Sequence, residues 1–302
     1  MKRKYSEYGL ILLKGVAMGA ADVVPGVSGG TIAFITGIYD ELLESIKSIN
    51  TQSLKLLVSG KPKQFWKAVN GNFLLCLVAG IGLSIFSLAR IITLFLDSYP
   101  VLVWAFFFGL IAASTLFVAK EIRDWNWKNA IGFAAGIGIA LYITSTTPAN
   151  TPETLPFIFL CGFIAICAMI LPGISGSFIL LLMGKYNYIM AAVKHLDPMV
   201  LGIFGIGAVC GIATFSRLLS YALHRFRNLT LAVLTGFMLG SLNKVWPWKQ
   251  TVSTYTDSHG VEKALTEINV APDGFIWQAV ILATAGFLLV WGIERIAPPK
   301  TR

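Results

Sequence analysis

Long apolar runs separated by short polar segments dominate this chain. Residues 73–88, 101–119, 130–143, 200–211, 229–240 and 275–293 read as membrane-spanning helices. None alternates strongly enough to suggest a β-barrel. Two further apolar stretches, 10–24 and 31–38, are each too short to cross about 30 Å of hydrocarbon as a helix. Between them stands Pro25-Gly26-Val27-Ser28-Gly29. Pro25 lacks an amide proton and the glycines allow unusual dihedrals, so the pair reads as a re-entrant hairpin.

The same pattern returns as Pro172-Gly173-Ile174-Ser175-Gly176, a shift of 147 residues. That shift also matches Gly15 with Gly162, Ala21 with Ala168, Tyr39 with Tyr186 and Lys47 with Lys194. Further on the shift is 127, matching Gly80 with Gly207, Arg90 with Arg217 and Gly109 with Gly236. The difference falls on residues 51–70, which read as a loop present only in the first half. A lone Pro-Gly would be explained by a kinked continuous helix. Two copies at matched positions favour hairpins.

Each half then carries one re-entrant hairpin and about three transmembrane helices. Three crossings are odd, so the second half starts on the opposite side and the repeats are inverted. The expected fold is an all-α integral membrane protein. It forms one transporter domain over residues 1–302, built of repeats at about 5–147 and 152–297. The polar loop 244–274 is expected on the membrane surface, anchored through Trp246 and Trp248.

Composition agrees: 56% of the 302 residues are hydrophobic and 13% charged. The basic start followed by an apolar stretch resembles a signal peptide. Lys14 interrupts that stretch, however, and an equivalent recurs in mid-chain, so it reads as structure. The net charge of +9 suggests a positive-inside bias rather than nucleic-acid binding. With a cytoplasmic N-terminus, sixteen cations fall on inner segments and five, Lys185, Lys194, Lys244, Lys249 and Lys263, on outer ones. This predicts a multi-pass inner-membrane protein with both termini cytoplasmic. Cys76, Cys161, Cys167 and Cys210 sit in apolar runs with no metal spacing, and no cofactor is expected. The three histidines carry no clear signal. Pairs such as Gly15/Gly19, Gly132/Gly136, Gly207/Gly211 and Gly236/Gly240 suit close helix packing.

The candidate chemistry is anion binding. Gly26, Ser28, Gly29, Gly30 and Thr31 in one half, and Gly173, Ser175, Gly176 and Ser177 in the other, each open a half-helix. Amides and hydroxyls there suit a phosphate or carboxylate. The alternative is that both serines are ordinary N-caps and the glycines serve packing. Arg90 and Arg217 occupy equivalent positions near the ends of equivalent spans. They offer donor forks suited to phosphate or, alternatively, snorkel to an interface. Asp22 is either a proton- or sodium-coupling group or a structural partner of Lys14 or an arginine.

At these residues the chain resembles a bacterial and archaeal membrane family associated with undecaprenyl-phosphate translocation under the name PopT. Residues 19–31, Gly-Ala-Ala-Asp-Val-Val-Pro-Gly-Val-Ser-Gly-Gly-Thr, are similar to its signature, and residues 171–177 to the second copy. The second copy lacks the acidic residue and has Ser177 where the first has Gly30. The resemblance implies that the chain returns a polyprenyl phosphate carrier to the cytoplasmic leaflet for cell-envelope synthesis. The residues alone reach only a transporter of an anionic, amphipathic ligand, with a homo-oligomer left open. Two alternatives stand beside it. A carrier of a small soluble anion would use the same loops. A lipid-phosphate phosphatase would need a second histidine beside the Ser216-Arg217…His224 run, and none is placed for it.

Overall fold

The computed structural model describes residues 3–24, 26–149, 151–256 and 262–296. Pro25 at the first bend lies outside them, as do Lys2, Ser258, His259, Lys300 and Arg302. The chain runs through α1 (Tyr5–Val23), α2 (Gly29–Ile35), α3 (Tyr39–Lys47), α4 (Thr51–Val58), α5 (Pro62–Ala68), α6 (Gly71–Ser98), α7 (Pro100–Lys120) and α8 (Trp127–Ser145). It continues with α9 (Leu155–Ile170), α10 (Gly176–Leu182), α11 (Tyr186–His195), α12 (Pro198–Arg225) and α13 (Arg227–Ser241). The strands β1 (Lys249–Thr256) and β2 (Glu262–Asn269) and then α14 (Ile276–Ile296) close it.

The order α1, α2, α3, α6, α7, α8 recurs as α9 to α14. The first-half insertion is the helix pair α4 and α5, not a loop. The second half adds an antiparallel hairpin of β1 and β2. Local chemistry sets the boundaries. Asp197 accepts the amides of Met199 and Val200 and is followed by Pro198, a combination that starts α12. Asn126 caps α8 through the amide of Asn129.

Glycine contacts give the repeat its physical content. The α carbon of Gly15 faces the carbonyl of Leu77 across α1 and α6, while Gly80 faces that of Leu12. Gly162 faces Phe204 and Gly207 faces Phe159 in the same way across α9 and α12. The third helices exchange partners. Gly109 and Gly286 pack α7 against α14, on the carbonyls of Ala283 and Phe106. Gly236 and Gly136 pack α8 against α13, on those of Phe133 and Val233. In lipid no hydrophobic force drives helices together, so close approach through missing side chains supplies the attraction. The small-residue pairs expected for packing do that. A buried core then joins the halves through Val24, Val27, Phe34, Phe73, Ile111, Leu231 and Met238.

Three expectations need correction. Among the described residues four helices, α6, α7, α12 and α14, are long and apolar enough to span a membrane, with a fifth if α10 and α11 count as one broken span bent by 112°. α13 has only 15 residues, and α8 opens on the polar Lys128 and Asn129, so the halves do not each supply three such helices. α1 starts at Tyr5 and has 19 residues, about 28 Å of helix, longer than the apolar stretch implied. The segment after α13 is built around a β-hairpin rather than a loop, and its tryptophans face the helices. Trp246 and Trp248 pack with Val101, Ala105, Ala279 and Ala283 of α7 and α14.

Candidate functional site

Both motif loops leave a helix in extended conformation and enter a seven-residue helix. Val24 and Leu171 end α1 and α9, and Ser28 and Ser175 cap α2 and α10. Gly26 and Gly173 stand at φ +85° and +102°, left-handed values that a side chain resists.

The fold brings the two loops into contact. The Gly26 amide donates to Ser175 Oγ at 3.1 Å, and the Gly173 amide to Thr31 Oγ1 at 3.0 Å. Ser28 Oγ faces the carbonyls of Leu171 at 3.1 Å and Met169 at 3.2 Å. Tyr39 OH donates to Ile170 O at 2.8 Å. Ser28, Thr31 and Ser175 are buried. Residues some 140 positions apart in sequence thus form one polar seam through the core, with each half holding the other's backbone.

The seam is asymmetric. On α2 the first amides are all engaged, Gly29 by Asp22 Oδ1 at 2.7 Å, Gly30 by Ser28 Oγ at 3.1 Å and Thr31 by Ser28 O. On α10, Ser175 Oγ accepts the Phe178 amide and lies 3.1 Å from Ser177 Oγ. There the thioether of Met169 stands over Gly176, where Asp22 stands over Gly29. The serines are therefore N-caps, as the plainer reading had it. They are also contacts between the halves.

Arg90 and Arg217 are not at the seam. Both are exposed, eight residues before the ends of α6 and α12. Arg217 Nη1 donates to Ala213 O at 2.7 Å. Neither makes a hydrogen bond or ion pair to the motif loops among the described residues. Among the described residues Asp22 pairs with neither Lys14 nor an arginine. Lys14 Nζ instead donates to Thr36 O at 2.7 Å.

The cation beside the seam is Lys244, counted from sequence only as an outer charge. Its stem covers Gly26, where an added Cβ would stand 2.7 Å from Lys244 Cγ. Its ammonium lies 4.9 Å from the Phe178 ring centroid. The run Lys244-Val245-Trp246-Pro247-Trp248-Lys249, two lysines bracketing two tryptophans, was the signal that could have marked it.

A second polar cluster joins the halves elsewhere. Glu44 of α3 accepts Ser220 Oγ of α12 at 2.6 Å, and Lys47 Nζ reaches the same hydroxyl at 3.0 Å. Arg227 bridges Asp40 at 3.6 Å and Glu121 at 3.3 Å. Asp40, Glu44, Ser220, His224 and Arg227 line a cleft of about 230 Å³. α3 packs along α12, whereas its counterpart α11 makes no comparable contact with α6.

Comparison with known proteins bears on what such a seam serves. The VCA0040-like family model, described as undecaprenyl phosphate translocase-like, matches residues 18–263. The chain is 45% identical over 306 residues to a polyprenyl-phosphate transporter of Vibrio cholerae serotype O1, covering 98% of this chain and 99% of the relative. It is 33% identical over 255 residues to a polyprenyl-phosphate transporter of Staphylococcus aureus, covering 78% and 85%. No solved structure matches the chain with significance.

Proposed function

The chain belongs to the undecaprenyl phosphate translocase-like family, and from that premise we propose that it moves its lipid by alternating access through the seam between the motif loops. Its substrate is polyprenyl phosphate and its setting is a membrane. Both relatives are named as transporters, which weighs against the phosphatase and small-anion alternatives.

The observation that carries the mechanism is the exchange of hydrogen bonds between halves, Gly26 to Ser175 and Gly173 to Thr31. Two halves joined through capped helix starts can rock apart and release amides and hydroxyls to a phosphate, then close again. Inverted topology would present this seam to either leaflet in turn. The clamp of α3 on α12, without its counterpart at α11 and α6, is the asymmetry expected of one of the two alternating states. The charge bias supports cytoplasmic termini and a return of the lipid to the cytoplasmic leaflet. A proton or sodium gradient is the natural driving force, with Asp22 as its candidate sensor.

Reconstitution into liposomes tests this. Purified protein should move polyprenyl phosphate from one leaflet to the other, read by protection of the headgroup from an added phosphatase. Inorganic phosphate should not cross. Liposomes that leave the lipid in its starting leaflet at any protein density would overturn the proposal.

A further inference from the structure

We propose that Lys244 and Lys249, held together by Glu267 beside the first motif loop, receive the phosphate headgroup of the lipid, which displaces the Glu267 carboxylate. This rests on the reading of the chain as a polyprenyl-phosphate transporter.

The geometry is a pair of ammonium groups sharing one carboxylate oxygen. Lys244 follows α13, Lys249 opens β1 and Glu267 lies on β2. Glu267 Oε2 is 3.2 Å from Lys244 Nζ and 3.6 Å from Lys249 Nζ. The side chains of Lys244 and Lys249 are 15% and 7% exposed, so with Lys249 protonated the group holds one uncompensated positive charge away from water. Among the described residues, no group lies within hydrogen-bond distance of Lys249 Nζ. Its ammonium instead rests 3.4 Å from the ring centroid of Trp104 on α7. The charged groups acting on it are Glu267 and Lys244, while α7 presents the Trp104 ring. Burial pushes the Lys249 pKa down to about 7.

Burying an unpaired cation is costly unless an anion arrives to complete it. A phosphate monoester carries one to two negative charges and several acceptor oxygens, enough for both ammonium groups at once. Lysine suits this task as a compact charge that tolerates several phosphate poses. The hairpin holds both lysines in place. Trp246 Nε1 donates to Val270 O at 3.0 Å and Trp248 Nε1 to Gly274 O at 3.1 Å. Lys244 also links this group to the transport seam, because the same side chain covers Gly26 and reaches Phe178. A headgroup bound between the lysines would draw Lys244 off Gly26 and loosen the seam.

The test uses the full-length protein in nanodiscs, titrated with farnesyl phosphate and, separately, with inorganic phosphate. Binding is read by tryptophan fluorescence, to which Trp104 contributes beneath Lys249, and by calorimetry. Farnesyl phosphate should bind, and Lys244→Gln and Lys249→Gln should each weaken it by about tenfold to a hundredfold. Glu267→Gln should bind at least as tightly as the parent, since no carboxylate need be displaced. Lys249→Met, which removes the buried charge while filling its space, guards against a folding defect and should also lose binding. Folded lysine variants that bind as the parent does would overturn this site and leave the transport reading intact. Inorganic phosphate bound with the affinity of farnesyl phosphate would overturn the assignment to a lipid headgroup. A parent that neither binds farnesyl phosphate nor moves polyprenyl phosphate would remove the transport reading, and this site with it.

Discussion

Asp22 accepts the amide of Gly29 at 2.7 Å, so a carboxylate from the end of α1 closes the start of α2. The other half places Met169 over Gly176 instead. One tip thus carries an ionisable group and its twin does not, so any gradient sensed at the seam enters through the first half. Asp22→Asn keeps an acceptor for Gly29 and should preserve folding and lipid binding while abolishing acceleration of transport by a pH or sodium gradient. Transport that responds to the gradient as the parent's does would reduce Asp22 to a cap. Asp22→Leu should also lose stability, by about 1–3 kcal/mol for the stranded amide.

Gly29 and Gly176 have no room for a side chain. A Cβ at Gly29 would meet Asp22 Oδ2 at 2.5 Å, and one at Gly176 would meet Ala165 O at 2.6 Å. Gly29→Ala and Gly176→Ala should each lower stability by about 1–3 kcal/mol and stop transport. Thermal melts run beside the liposome assay measure both. Normal transport by either variant would show that its half of the seam need not close tightly.

Arg90 and Arg217 lie exposed on equivalent helices, outside the seam. If each collects headgroups at its own face, Ala substitution should slow transport about tenfold to a hundredfold, with Lys intermediate because it keeps charge but loses the planar fork. Unchanged rates in both Ala variants would identify them as snorkelling residues.

Lys249 gives opposite pH signatures to stability and binding. Its folded pKa of about 7 is below the ordinary value of 10.5. Between those values the unfolded chain holds a proton that the folded chain has released, so this group's contribution to stability rises with pH from about 7 to 10.5. Phosphate binding should instead weaken as pH climbs through 7 and the ammonium is lost. Glu267, which faces it and is held below the usual carboxylate range by the two lysines, stays charged across that window. Lys249→Met should flatten both profiles, in melts and in titrations.

Ser220, 1% exposed beneath Glu44, reports on the clamp between α3 and α12. With native cysteines replaced, Ser220→Cys should react slowly with a water-soluble maleimide, and faster once polyprenyl phosphate drives turnover. A labelling rate indifferent to substrate would make the clamp a static contact.

The matched motifs and glycines at fixed shifts were legible, and the glycines make matched contacts in the fold. Span count was less legible. Hydropathy does not reveal that α13 stops at Ser241 after 15 residues, since its ending depends on the turn that carries Lys244. The serines at the motifs were rightly seen as helix starts, but their partners lay about 140 residues away. The run from Lys244 to Lys249 shows two lysines near each other, but not that Glu267 joins them, because that carboxylate is supplied by a strand pairing. Thr251, Val252 and Thr254, β-branched residues that favour strands, are a sequence signal for that pairing within an otherwise polar segment.

The exchanged third helices govern how this protein can be made. α7 leaves the ribosome with Gly109 aimed at a surface that α14 supplies more than 170 residues later, and α8 waits likewise for α13. Until then the nascent first half stands in the bilayer with narrow, unfilled grooves along its helices. Truncated synthesis would leave those grooves open to foreign helices, and a quality-control protease would find them there. α7 and α8 therefore complete their packing only once α13 and α14 have been made.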